Sequence, residues 1–192
     1  MNLPNKLTTA RLVLTAAFVA ALSVPAFPNR FALATALFLV ASLTDFLDGY
    51  IARKHNLVTD FGKLMDPLVD KILTGSVFIM LSAFGAVPAW ATIVIIAREF
   101  LVTGLRLLAS AAGAVLAADR LGKWKTISQI AAATYFLLQL GADEAALGGV
   151  AWATGMGAPE LVGNSLLAVC VTLTLVSGWS YIWKNRELIR DC

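Results

Sequence analysis

The chain has 192 residues, 59% of them hydrophobic and only 14% charged. A soluble domain of this length would need far more charge to cover its surface, so a sizeable soluble domain is excluded. The net charge of +3 says little as a total and gives no reason to expect a nucleic-acid partner; the placement of the charges says more.

Apolar stretches recur from residue 12 to residue 183. Each is about 20 residues, the length an α-helix needs to cross a hydrocarbon core of roughly 30 Å. The expected fold class is all-α: a polytopic membrane bundle of six transmembrane helices behind a short N-terminal amphipathic helix, with residues 1–192 forming one domain. In chain order, Asn2–Thr8 is the amphipathic piece and Thr9–Ala26 the first span. Lys6 and Arg11 before the run Leu12–Phe27 imitate a secretory signal, but further apolar segments follow directly and no small-residue cleavage site closes the run. The second span is Phe31–Arg53, the third Phe61–Phe84 and the fourth Ala89–Ala112. The fifth is Trp124–Gly141 and the sixth Glu160–Trp183. Small residues such as Ala91, Ala97, Gly104, Ala109, Ala131 and Ala132 allow close helix approach. The Gly/Ala-rich stretch 141–157 is the one long connection.

Lys and Arg gather on alternate connections: Lys6 and Arg11; Arg53, Lys54 and Lys63; Arg120, Lys123 and Lys125; Lys184, Arg186 and Arg190. The other connections hold Arg30 and, between Asp143 and Glu160, only acids. Cationic loops stay in the cytoplasm, so both termini are expected there and the number of spans is even. Trp179 and Trp183 read as interfacial anchors, Cys170 as packing, and His55 and Cys192 carry no assigned role.

The chemistry lies between residues 45 and 70, where five aspartates fall at the ends of two apolar spans. Charge in a membrane helix costs at least about 2.5–3.5 kcal/mol, so such residues are functional candidates by default. Asp45 and Asp48 are three apart, Asp66 and Asp70 four apart, and either spacing puts both carboxylates on one helix face. Four facing carboxylates repel. Hard divalent cations relieve that repulsion, and an oxygen-only set favours Mg²⁺, Mn²⁺ or Ca²⁺. Two such ions could clamp a diphosphate. Gly49, Ala52 and Gly62 clear space for a bulky ligand, and Arg53 is placed to contact its phosphate. The bland alternative pairs the acids with Arg53, Lys63 and Lys71 as snorkelling ion pairs. For Asp60 alone a helix cap is the better explanation.

The string Asp45-x2-Asp48-Gly49-x2-Ala52-Arg53-x8-Gly62-x3-Asp66-x3-Asp70 resembles the complete signature of the CDP-alcohol phosphotransferases. That resemblance implies six transmembrane helices, usually as a homodimer, and a divalent metal, Mg²⁺ or Mn²⁺, as two ions. It implies metal binding by Asp45, Asp48, Asp66 and Asp70, and donor binding around Asp48, Gly49, Ala52, Arg53 and Gly62. Asp70 is implied as the general base. The strings NLPNKLTTAR at 2–11, AREFLVTGLR at 97–106 and GKWKT at 122–126 are similar to bacterial members that join CDP-diacylglycerol to sn-glycerol 3-phosphate. A plasma-membrane enzyme with its active site facing the cytoplasm is the implied setting, among membrane lipids.

A phosphorylated acceptor needs cations. Arg106, Lys123 and Lys125 are the candidates for its phosphate, with Arg98 in the same apolar span as Arg106. Glu99, Thr103 and Arg106 share a helix face, so a plain Glu99–Arg106 ion pair is the competing reading. Arg120 reads as an anchor, and Pro67 as loosening the third span. The alternatives are a relative of cardiolipin-synthase or phosphatidylinositol-phosphate-synthase type, a membrane prenyltransferase with widely separated Asp-rich motifs, or a cation transporter. The prenyltransferase motifs lie far apart in a longer chain, against one compact motif here, and a transporter gives no reason for Gly49, Ala52, Arg53 and Gly62 at fixed spacing.

Overall fold

The computed structural model describes residues 3–25, 27–55, 60–111, 120–144 and 159–186, and the side chains at 3–7, 45–55, 60–67, 111, 120, 143 and 159 lie outside the described residues. Among the described residues all regular structure is helical. The helices are α1 (Leu3–Ser23), α2 (Arg30–His55), α3 (Asp60–Ala83), α4 (Ala89–Ala111), α5 (Arg120–Glu144) and α6 (Pro159–Lys184). The shortest, α1, has 21 residues, which at 1.5 Å per residue is about 30 Å. Helix α1 runs without a break, so the amphipathic piece expected at Asn2–Thr8 continues straight into the first apolar segment from Leu3 onward. Helix α5 begins and ends about a turn outside the expected Trp124–Gly141. Helix α3 passes unbroken through Pro67.

Glu160–Lys184 is the one described helix that is long and apolar enough to cross a membrane by length and composition, and Thr8–Ser23 and Arg30–Thr44 are shorter apolar helices. Helix α4 has 23 residues but carries Arg98, Glu99 and Arg106, charges that break its apolar run.

Local chemistry ends the helices. Helix α3 closes in a Schellman motif: Ala86 N–H donates to Leu81 O and Gly85 N–H to Ser82 O, both at 3.0 Å. Gly85 adopts φ 75°, a left-handed conformation that glycine takes without a Cβ clash. Asn29, at φ 54°, turns the chain into α2, as the short amide side chain tolerates that region. Arg30, the lone cation of its connection, pairs with Glu144 at 2.5 Å and lies over the rings of Phe31 and Phe84.

The core takes one stripe from each helix. On α2 it is Phe31, Ala34, Phe38 and Ala41; on α3, Leu73, Val77, Phe78 and Leu81. Such spacing at three and four residues keeps a stripe on one face. Helix α1 packs on α2 and α3, α5 on α2, α3 and α6, and α4 on α3 and α6. The outward faces are apolar as well: Val13, Leu43, Ile79, Ile93, Leu108, Ile127 and Leu175 are all exposed. Apolar surface on this scale suits a lipid environment and not water. Close approach of α4 and α6 depends on Gly178, where a Cβ would stand 3.0 Å from Arg98 Cγ.

Candidate active site

Helices α2 and α3 are consecutive and in contact. The last turns of α2 carry Asp45, Asp48, Gly49, Ala52 and Arg53, and the first turns of α3 carry Gly62, Asp66 and Asp70. The backbone therefore holds all eight signature positions on adjoining helix ends. Of these side chains only that of Asp70 is described; those of Asp45, Asp48, Gly49, Ala52, Arg53, Gly62 and Asp66 lie outside the described residues. The donor set offered by the four aspartates is carboxylate oxygen throughout, which fits a hard divalent cation.

Asp70 is partly exposed and lines a narrow groove between α2, α3 and α5, whose walls include Phe38, Ser42, Thr74, Thr126 and Gln129. Its Oδ2 accepts from Lys71 Nζ at 2.6 Å. Lys71 Nζ also lies 2.8 Å from Oε2 of Glu99. One ammonium thus bridges the partly exposed Asp70 and the 3% exposed Glu99.

Glu99 is the centre of a buried charge cluster. Its Oε1 accepts from Lys125 Nζ, from Arg98 Nη1 at 3.4 Å and from Gln129 Nε2 at 3.4 Å. Lys71 comes from α3, Arg98 and Glu99 from α4, and Lys125 and Gln129 from α5. An isolated carboxylate at this depth would cost several kcal/mol of desolvation, and the surrounding donors offset that cost. Glu99 lies ~15 Å along α4 from Ala89 and Lys71 ~20 Å along α3 from the turn at Phe84, at 1.5 Å per residue. Glu99 and Lys71 therefore sit near the middle of their helices, and Lys125 reaches them from the second turn of α5. Among the described residues the cations Lys71, Arg98 and Lys125 outnumber the Glu99 carboxylate, and one positive charge remains in excess when Asp70 is included.

The cations expected to hold an acceptor phosphate are not gathered in one place. Lys125 is 3% exposed and engaged with Glu99. Lys123, two residues earlier, is exposed. Arg106 donates from Nε to the hydroxyl of Tyr181 on α6 at 3.3 Å, with its guanidinium carbon 5.4 Å from that ring's centre. The Glu99–Arg106 pair is not formed; Glu99 turns to the lysines of α3 and α5. The reason is geometric: those lysines reach inward at the level of Glu99, while Arg106 lies two turns further along α4 against α6.

Glu99 as a hub and Lys71 as a bridge were not legible in the sequence as site residues. The available signal was one acid deep in the apolar α4, with Lys71 at mid-helix on α3 and the pair Lys123 and Lys125 near the start of α5.

The family model for CDP-alcohol phosphatidyltransferase matches residues 1–180. A Bacillus subtilis (strain 168) protein named CDP-diacylglycerol–glycerol-3-phosphate 3-phosphatidyltransferase is 42% identical over 205 aligned positions, covering 98% of this chain and 97% of the relative. A Rickettsia felis protein of the same name is 40% identical over 182 positions, covering 94% of this chain and 93% of the relative.

Proposed function

The chain belongs to the CDP-alcohol phosphatidyltransferase family, and we propose that it transfers the phosphatidyl group of CDP-diacylglycerol to sn-glycerol 3-phosphate, releasing CMP and phosphatidylglycerophosphate. Its relatives carry that activity in their names. The observation that carries the choice of a phosphorylated acceptor is the excess of positive charge beside Asp70, from Lys71, Arg98 and Lys125 against Glu99.

In this reading Asp45, Asp48, Asp66 and Asp70 would hold two divalent cations, Mg²⁺ or Mn²⁺, which would supply charge neutralisation for the donor diphosphate and the departing CMP. Asp48, Gly49, Ala52, Arg53 and Gly62 form the cradle of the donor's CDP part. Asp70 takes the proton of the acceptor's primary hydroxyl. That oxygen attacks the phosphorus bearing diacylglycerol, the bond from this phosphorus to CMP breaks, and no covalent enzyme intermediate is needed. Lys123 attracts the acceptor phosphate from the exposed side of α5, and Lys125 and Arg106 would have to leave Glu99 and Tyr181 to reach it.

The proposed setting is a multi-pass protein of the bacterial plasma membrane. Its six helices form one domain of residues 1–192 and cross the bilayer, both termini and the site face the cytoplasm, and two copies pair as a homodimer. The apolar outward faces support helices that cross the bilayer, and the loop charges support cytoplasmic termini. The test is CMP release in detergent micelles from CDP-diacylglycerol with glycerol 3-phosphate, glycerol, inositol phosphate and phosphatidylglycerol as separate acceptors. Release with glycerol 3-phosphate alone is the expected result. Release with a different acceptor and not with this one would overturn the assignment.

A further inference from the structure

The end of α6 carries an exposed face that the transfer reaction leaves unused. Tyr181 is buried and meets Arg106 of α4 through its hydroxyl. Trp179 and Trp183, two residues away on either side, fall on the far side of the helix from Tyr181. They are 69% and 59% exposed. The two indoles stack, with ring centres 6.1 Å apart and planes at 23°. The guanidinium carbon of Arg186 stands 4.8 Å from the centre of the Trp183 ring. About a turn before Trp179, Leu175 and Val176 extend the same face and are exposed as well. The stripe thus passes from aliphatic through indole to guanidinium.

We propose that this face of α6 seats an anionic phospholipid, with Arg186 on the headgroup phosphate, the two indoles beside the glycerol, and Leu175 and Val176 along an acyl chain. The inference rests on the reading of α6 as a helix that crosses the bilayer. Exposed indoles belong at the headgroup level of a membrane. A guanidinium over an indole is held by the ring's electron-rich face and keeps its N–H edge available to a phosphate. Among the described residues no carboxylate pairs with Arg186. The plain alternative is that Arg186 offsets the negative C-terminal end of α6. Its position argues against that: it turns back over Trp183, and Asn185 Nδ2 already donates to Tyr181 O at 2.7 Å. Lys184, also exposed, adds positive charge that favours a net-negative headgroup over a zwitterionic one. The aliphatic part of the face selects a lipid over free phosphate, which gains nothing from Leu175 and Val176.

The experiment places the full chain in nanodiscs, with Trp90, Trp124 and Trp152 replaced by Phe so that emission reports Trp179 and Trp183. The discs mix phosphatidylglycerol with phosphatidylcholine. Bromine near the carbonyl end of one lipid's acyl chains quenches any indole that lipid touches. Brominated phosphatidylglycerol should quench as if enriched about fivefold over its mole fraction, the scale for one basic residue at an anionic membrane surface. Arg186→Gln should bring quenching back close to the mole fraction; Arg186 is exposed, so this variant should elute as the parent does. Lys184→Gln removes the same charge two residues away and should lower the enrichment far less. Quenching that follows the mole fraction before any change at Arg186, or equal losses in the two variants, would reduce the face to diffuse surface charge and overturn the proposal. Enrichment that inorganic phosphate displaces at constant ionic strength would assign the site to free phosphate and overturn the lipid seat. No quenching by either lipid when brominated would place the end of α6 outside the bilayer and sink the membrane reading itself, a result distinct from quenching without enrichment.

Discussion

Lys123 and Lys125 are two residues apart on α5 and carry the same charge, yet they should respond oppositely to the same substitution. Lys125 is 3% exposed with its ammonium on Glu99; Lys123 is exposed. Replacing Lys125 with Gln keeps most of the stem and removes the charge. Breaking a buried pair outright costs about 3–5 kcal/mol. Glu99 here keeps Lys71 at 2.8 Å and Arg98 at 3.4 Å, so the loss should be nearer the ~1.5–3 kcal/mol of one hydrogen bond to a charged group. At roughly 2–4 °C per kcal/mol for a chain of this size, the apparent Tm should fall by about 3–12 °C. Lys123→Gln should leave it in place. The measurement is thermal denaturation of both variants in the same detergent, followed by intrinsic tryptophan fluorescence and by the soluble fraction on size exclusion. Equal midpoints would refute the buried pair, and with it the centre of the Glu99 cluster.

Other outcomes follow from the same geometry. A strong chelator should abolish CMP release and added Mg²⁺ or Mn²⁺ restore it, while Asp→Asn at 45, 48, 66 or 70 should each cost about a hundredfold in kcat; turnover in chelator would defeat the metal-assisted reading. A cysteine replacing Pro88, in a background without Cys170 and Cys192, should react with an impermeant thiol reagent added to whole cells, and one replacing Lys184 should not; both positions are exposed, so labelling of both would contradict cytoplasmic termini. Gly178→Leu should impair folding far more than Gly178→Ala, because Arg98 Cγ already stands 3.0 Å from a Cβ there: the flexible stem can yield to a methyl but not to an isobutyl group. Similar yields of folded protein for the two would show that α4 and α6 do not meet as described. Lys123→Gln should raise the KM for glycerol 3-phosphate by about tenfold or more, on the scale of one charge-assisted hydrogen bond, with the KM for CDP-diacylglycerol little changed; an unchanged acceptor KM would leave Lys123 a surface charge.

The sequence determined the features that depend on neighbours along the chain. Helices α2, α3, α4 and α6 begin and end within about two residues of their expected bounds, because apolar runs and the turn at Gly85 are local signals. The acidic signature was legible for the same reason: its spacings, within a helix or across one short loop, place the carboxylates on adjoining helix ends whatever the rest of the bundle does. Arg53 and the small residues beside the acids belong to that local pattern. Partnerships between distant helices were not legible. Lys123 and Lys125 lie about 200° apart around α5, since an α-helix turns 3.6 residues per revolution. Nothing local says which of the two faces inward; the packing of α5 against α2, α3 and α6 sets that rotation. The same packing brings Lys71, Arg98 and Lys125 to one carboxylate from three helices. Sequence reasoning offered Glu99 a partner on its own helix face, Arg106, because only neighbours on one helix can be inferred from spacing. The tertiary structure gave Glu99 the lysines of α3 and α5 instead. A carboxylate buried this deeply needs cations at its own depth, and neighbouring helices supply them there while Arg106, two turns away, does not.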